Sequence, residues 1–487
     1  MVPADPGGGM MRADLLAGTV DGLDEALAAV DAFDEVLVGG LLRPQPAQAA
    51  GLAGLADAVA GTPLAARAAE AAAKAAAGAA GEDHFTALAA ARAALLGSVH
   101  DALMARVGEA TGRPRGEAGS GPVTSGGEPS ANLLTAARSW LSDLARCGWR
   151  GIDHEVVAGS AQVVSAMLPD PALRRLATLL DGFAAELAAC CPGAALERVP
   201  VRRWADLWSR AMLLTLPGGA AGGAPAGTAT GRLLPLGVDL QEHATAVQAQ
   251  VHAVFEPADG SASRLVRAAV SAPKPDTVVG AGLWQLLRPR MALLAAVGEG
   301  RSMELTGMPV TAGGDLLWSD EHARAGEPAD AFATARVALP AAADPVTAPL
   351  DRHPACIAVP VFLEGYAVGQ EEKVGETQGE SESGGGVTFT VAGQPLSVDT
   401  DRIPVAGPLT PEAVAASAAC IGLLRWDDGV FSVQPLAVER SVRKRTVAVH
   451  AGAWAGGTAD KAGAKAEKAA AAAVAVLRER AGRLLRK

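Results

Sequence analysis

The chain has 487 residues, a formal net charge of −11, and 49% hydrophobic residues but only 3% aromatics. Ala supplies much of the apolar fraction, so a mean hydropathy of +0.21 is no membrane signal by itself. The acidity argues against a protein whose whole surface tracks phosphate backbones. No run of ~18 strongly apolar residues predicts a transmembrane helix, and five Cys without a CxxC pair make no disulfide framework.

At ~150 residues per domain the length suggests about three domains. Residues 1–9 are Pro/Gly-rich and lack the basic and Leu-rich regions of a secretory signal. Together with the cysteine usage this predicts a reduced, cytoplasmic setting. Arg far exceeds Lys, and Ala and Gly are heavily used, the bias of a GC-rich bacterial genome.

Residues 1–112 read as helical. Phe85, Leu88, Leu95, Leu96, Val99, Leu103 and Val107 form one stripe at helical spacing, the mark of a packed bundle helix. Residues 113–130 are rich in Gly, Pro, Ser and Thr and read as a linker. Region 131–216 is again helical. Ser130 is a candidate N-cap and Gly148 a stop. Asp170-Pro171 is a start signal ended by Pro192, and a last helix follows Pro200. Trp204 and Trp208 lie one turn apart on that helix. They read as bundle core, with a partner-binding face as the alternative.

A Gly/Ala/Pro stretch, 217–231, reads as a second linker, and residues 232–455 as an α+β domain. Helix-like pieces are expected over 238–251, 278–297 and 411–420. Strand signals dominate between them. Residues 387–391 alternate strictly and turn at Gly393. Residues 423–426 meet 430–433 across Asp427-Asp428-Gly429, a hairpin signal because Gly supplies positive φ. Residues 315–318 follow a Gly313-Gly314 turn. Residues 357–363 have strand length, although Pro360 demotes them towards an edge. The acidic segment 370–386 reads as a disordered excursion. Residues 456–487 read as a basic, Ala-rich amphipathic tail. The fold expected is thus α+β and multidomain, with a helical first half and a mostly antiparallel sheet in the second.

The well-specified catalytic signatures are missing: the Walker-type phosphate loop, GxGxxG between a strand and a helix, GxSxG and HExxH. The nearest metal-like grouping is Asp315 with Asp320, Glu321 and His322, with His353 further on. Its plain alternative is a polar turn after Trp318. Asp153-His154-Glu155 reads as a helix start, where carboxylates favour the N-terminus. Cys356 opens an apolar run and reads as a buried, inert thiol. Cys190-Cys191 is a vicinal pair, read as one core and one edge residue. His243 and His252 are separated by an expected helix-to-strand change and share no face.

The basic features come last. Arg440, Arg443, Lys444 and Arg445 cluster before a strand-like segment. Residues 460–487 hold eight basic and three acidic residues, a net +5 that leaves −16 for the remainder. Leu477 and Leu484 lie on an apolar stripe of the tail, with Arg480, Arg483, Arg486 and Lys487 beside it or at its end. Such a helix can dock on an acidic partner, an anionic lipid, a nucleic acid or the acidic body itself. The expectation is therefore an interaction or scaffold subunit with protein partners, without catalysis or cofactor. A metal-assisted hydrolase using Asp315, Asp320, His322 or His353 is the alternative, and nucleic-acid binding through the tail is the least favoured.

Overall fold

The structure is a computed structural model that describes residues 11–116, 130–219, 224–243, 245–371, 386–427, 429–458 and 461–484. Among the described residues, ten α-helices precede the first strand. They are α1 (Ala13–Leu16), α2 (Leu23–Gly39), α3 (Pro46–Ala58), α4 (Ala65–Ala76), α5 (Glu82–Thr111), α6 (Ala131–Cys147), α7 (His154–Ala158), α8 (Ser160–Met167), α9 (Arg174–Ala189) and α10 (Val201–Leu214). The predicted stripe of α5 is buried along its whole length. Gly148 ends α6 at φ +71°, where an added Cβ would strike the backbone of Gly40 at the end of α2. Ser130 precedes α6 without a side-chain cap, and the Asp170 signal sits one turn early, because α9 begins at Arg174. Trp204 and Trp208 are fully buried, which overturns the partner-face alternative. Trp208 donates to the Leu141 carbonyl and Trp204 to Glu186. Trp149 stands edge-on to both Trp204 and Phe183.

The second half is α+β, built on two sheets. The first contains β1 (Gly227–Glu242), β2 (Ala246–Pro257), β3 (Arg264–Pro273), β4 (Arg301–Val310), β5 (Asp315–Leu316) and β6 (Ala323–Pro328). Its order is β1-β2-β3-β5-β4-β6, and β1 also pairs with β4, so five strands close on themselves. All pairs are antiparallel except β3–β5. Short helices α11 (Leu283–Leu287) and α12 (Leu293–Gly298) supply Leu283, Trp284, Leu293 and Leu294 to its core.

Helix α13 (Ala331–Val337) leads to the second sheet. This comprises β7 (Val359–Glu364), β8 (Ala367–Glu371), β9 (Gly386–Val391), β10 (Gln394–Val398), β11 (Ser417–Asp427), β12 (Val430–Val442) and β13 (Arg445–His450), with α14 (Pro411–Ala415) before β11. The order is β7-β11-β12-β10-β9-β8, with β13 also on β12. The edge position of β7 agrees with its Pro360, which has no N–H for a second neighbour. The Gly393 and Gly429 hairpins form as expected. Helix α15 (Lys461–Leu484) closes the chain.

Four expectations need correction. Residues 238–251 are strands β1 and β2, not a helix, because the period of Val247, Ala249 and Val251 is two. Residues 227–231 of the second expected linker already belong to β1, whose Thr228 and Ala229 pair with β4. The acidic excursion overlaps β8 and β9 at Gln370, Glu371 and Gly386, and residues 372–385 lie outside the described residues. Residues 117–129 of the first linker also lie outside them, but Arg113 at its start is buried and pairs with Asp344 at 2.9 Å.

The halves share a core. At 30 residues, α5 is about 45 Å long. Its first half, with Phe85 and Leu88, packs in the helical bundle. Its second half, with Val99, Leu103 and Val107, packs with Phe389, Val433 and Leu424 of the second sheet. A further cluster joins the sheets through Leu234, Val254, Phe332 and Ile421. A cavity is left where the bundle and the two sheets meet.

Candidate functional site

Strand β2 builds one wall of that cavity. Val247, Ala249, Val251 and Ala253 enter the core of the first sheet. The alternating residues Gln248, Gln250 and His252 take the opposite face and line a cavity of about 530 Å³. Gln248 pairs with Gln241 across β1, and His252 with Arg267 across β3. Strand β11 contributes Arg425, α5 His100, and α10 Arg210. The turn Pro354–Cys356 brings Cys356 to the same space.

The charges behind this wall are held in fixed pairs. Asp239, almost fully buried, accepts from Arg425 Nη2 at 2.9 Å, Gln434 Nε2 at 2.8 Å and Gln241 Nε2 at 2.9 Å. Burial opposes its ionisation, but Arg425 and the two amides overcome this and hold its pKa below the ordinary carboxylate value. Burial pushes His252 down to about 3, against the attraction of Asp239. Its imidazole is therefore neutral, and its buried Nε2 has no hydrogen-bond partner among the described residues. Arg267 is bound to Asp315 through Nε and Nη2. Arg210 Nη2 lies 3.6 Å from Cys356 Sγ.

The expected metal candidates are not brought together. Asp315 is engaged by Arg267 and Thr311. Asp320 accepts from Trp318 Nε1 at 2.7 Å and from the Ala292 N–H at 2.9 Å. His322 Nδ1 lies 2.9 Å from the Thr306 carbonyl. His353 Nε2 lies 3.5 Å from Asp206, and its Nδ1 accepts the Ala355 N–H. Among the described residues, no three His, Cys, Asp or Glu side chains form a group that could hold a metal ion. Asp153 caps α7 by accepting the Val156 N–H, as its position before a helix suggests. Cys190 and Cys191 are both half-buried and unbridged.

Two site residues correct the reading of the sequence. Cys356 is exposed rather than buried, because the strand that follows starts only at Val359 and the thiol belongs to the turn before it. His252 lies on a strand beside β1 rather than past a helix. The alternation Gln248-x-Gln250-x-His252 was the signal that marks this polar face.

The basic features are separate from the cavity. Strands β12 and β13 form a hairpin with Val442 opposite Arg445, which leaves Arg443 and Lys444 as a two-residue turn. Both have positive φ, +50° and +66°. Residues 441–448 are all exposed. In α15, Ala470 is buried against Gly282, and Glu467 pairs with Arg288 at 3.2 Å. The first half of the tail therefore docks on the body. Arg480 is exposed. Leu477, Arg483 and Leu484 lie within α15, but their side chains, like Arg486 and Lys487 altogether, lie outside the described residues. Among the described residues no helix is long and apolar enough to cross a membrane. Compared with family models, curated proteins and solved structures, the chain matches none.

Proposed function

We propose that this chain is a non-catalytic interaction subunit that docks an acidic protein surface through the β12–β13 hairpin. One observation carries the reading: basic residues occupy the turn where the backbone favours others. A two-residue hairpin turn with positive φ at both positions favours Asn-Gly, and each non-glycine residue held there costs roughly 1–2 kcal/mol. Arg443 and Lys444 fill these places, followed by Arg445, and none of the three has a carboxylate partner among the described residues. A contact made by these cations gives a reason for their presence at strained positions.

The flanks favour a protein over a nucleic acid as the partner. Val442 and Val447 are 39% and 40% exposed beside the basic tip. Apolar side chains ringed by Arg suit the centre of a protein interface, whereas a phosphate backbone rewards charge alone. The free cysteines fit a bacterial cytoplasm as the place of action.

The test is the double variant Arg443→Asn/Lys444→Gly. It removes two charges while improving the turn, so the expected result is a raised Tm together with loss of the stoichiometric partner that co-purifies with the native chain. Retention of the partner by this variant would overturn the reading. So would a native chain that brings down nucleic acid alone, with binding that falls steeply with salt.

A further inference from the structure

The cavity between the bundle and the two sheets is lined by guanidinium groups whose hydrogen bonds among the described residues leave part of each donor fork unused. Of its lining carboxylates, Asp344 is held by Arg113 at 2.9 Å and Asp351 by Arg175 at 3.0 Å. Arg267 uses Nε and Nη2 on Asp315, and Arg425 uses Nε and Nη2 on Gln434 and Asp239, so among the described residues each keeps Nη1. Arg210 has its nearest carboxylate oxygens 3.6 and 3.9 Å away, beyond good hydrogen-bond distance. The Gln250 amide has no partner among the described residues. His252, 2% exposed, adds a neutral ring with an unpartnered Nε2. At about 530 Å³ the space is of small-molecule size.

We propose that this cavity binds a small molecule by an oxyanion group, a carboxylate or a phosphate, received by Arg210, Arg267 and Gln250 beside Cys356. A planar guanidinium with free N–H groups is matched to the paired oxygens of such a group. The lining carboxylates do not repel it strongly, because each is neutralised by its own arginine. Gln250 and His252 discriminate by hydrogen bonding without adding charge. This site is independent of the β12–β13 hairpin.

Cys356 supplies the probe. Iodoacetate and iodoacetamide alkylate a thiolate alike: the S–C bond forms as C–I breaks and iodide leaves. They differ in carrying a carboxylate or a neutral amide. The full chain is treated with each, and the rate at every cysteine is followed by peptide mass spectrometry. Cys190 and Cys191 serve as internal references. The iodoacetate-to-iodoacetamide rate ratio at Cys356 is expected to exceed theirs by about tenfold, the worth of one charge-assisted hydrogen bond. Gln250→Glu, which breaks no hydrogen bond of the unliganded chain among the described residues but replaces the amide donor with a like charge, should return the ratio to the reference. Arg210→Gln should do the same and guards against a folding failure of the first variant. Inorganic phosphate and succinate are then added as competitors. Protection of Cys356 by phosphate alone assigns a phosphate, by succinate alone a carboxylate, and by both the shared oxyanion chemistry. An equal ratio at Cys356 and the references, a raised ratio unmoved by both variants, or protection by neither competitor would overturn the proposal.

Discussion

Arg92 reaches from α5 to Asp34 of α2 with both side chains almost fully buried, and binds it through two hydrogen bonds of 2.7 and 2.9 Å. Asp206 of α10 approaches the same guanidinium at 3.5 Å. Burial pushes Asp34 up to about 6, and the bonds from Arg92 hold it from rising further. Such a pair contributes little net stability against an apolar replacement, but breaking it exposes the full cost of an unpaired buried charge. Arg92→Met is therefore expected to lower the unfolding free energy by about 3–5 kcal/mol in urea titrations. Asp34→Leu/Arg92→Met should recover most of that loss. The single variant should also suffer more at pH 8 than at pH 5, because a carboxyl with a raised folded pKa costs stability only once it ionises. Equal losses for the single and double variants would show that packing, not charge, dominates at this point.

At the scale of elements, α15 has a point of close contact. An added Cβ on Gly282 would lie 2.3 Å from the Cβ of Ala470, so the helix approaches the loop before α11 more closely than any side chain allows. Glu467 secures the same place, accepting from Arg288 while its carbonyl receives the Gln285 side chain. Gly282 has ordinary helical φ, so Gly282→Val introduces overpacking rather than backbone strain. The expected outcome is selective release: limited proteolysis should cleave within residues 461–487 of the variant, while the bundle and both sheets stay protected. Loss of protection throughout the chain would mean that α15 is integral to the core of the first sheet. The tail's contact was legible only as one option among several, since a sequence of Ala and Lys has no face that names its neighbour. Helices were legible where Leu and Trp mark a stripe, as in α5 and α10. They were misread at 238–251, where Ala sits on both faces and hides the period of two. The site suffered for the same reason. Gln248, Gln250 and His252 become one polar wall only once β2 is recognised as a strand. Cys356 becomes reachable only once the strand after it is seen to begin at Val359. Arg210, Arg267 and Arg425 come from elements far apart in sequence, and no local pattern links them.

Across the whole molecule, four buried or half-buried histidines weaken the fold on acidification. His100, His252, His353 and His450 all lie below their ordinary value of 6.5, with burial the largest cause in each case. Nearby carboxylates work against this shift but do not overcome it: Asp101 at His100, Asp206 at His353, Asp330 and Glu439 at His450. His252 has Asp239 and Asp315 on one side of the balance and Arg267 and Arg425 on the other. In the folded state these rings release their protons, whereas the unfolded chain takes them up as pH falls through 6.5. Stability is thus fully present above 6.5 and is lost on acidification, over a window that for His252 extends down to about 3. His252 alone contributes a slope of up to about 1.4 kcal/mol per pH unit once the pH is well below 6.5. Asp34 acts in the opposite sense, since its raised pKa adds stability as pH falls from about 6 towards 3.8. The shift of His252, from 6.5 down to about 3, exceeds that of Asp34, from 3.8 up to about 6, and the other three histidines act in the same direction as His252. The urea midpoint of the native chain is expected to fall between pH 7.5 and pH 5, and His252→Gln should flatten that fall, because the amide keeps a hydrogen-bonding group on the cavity wall without a proton to gain. A midpoint that rises on acidification would place Asp34, rather than the histidines, in control of the acid limb.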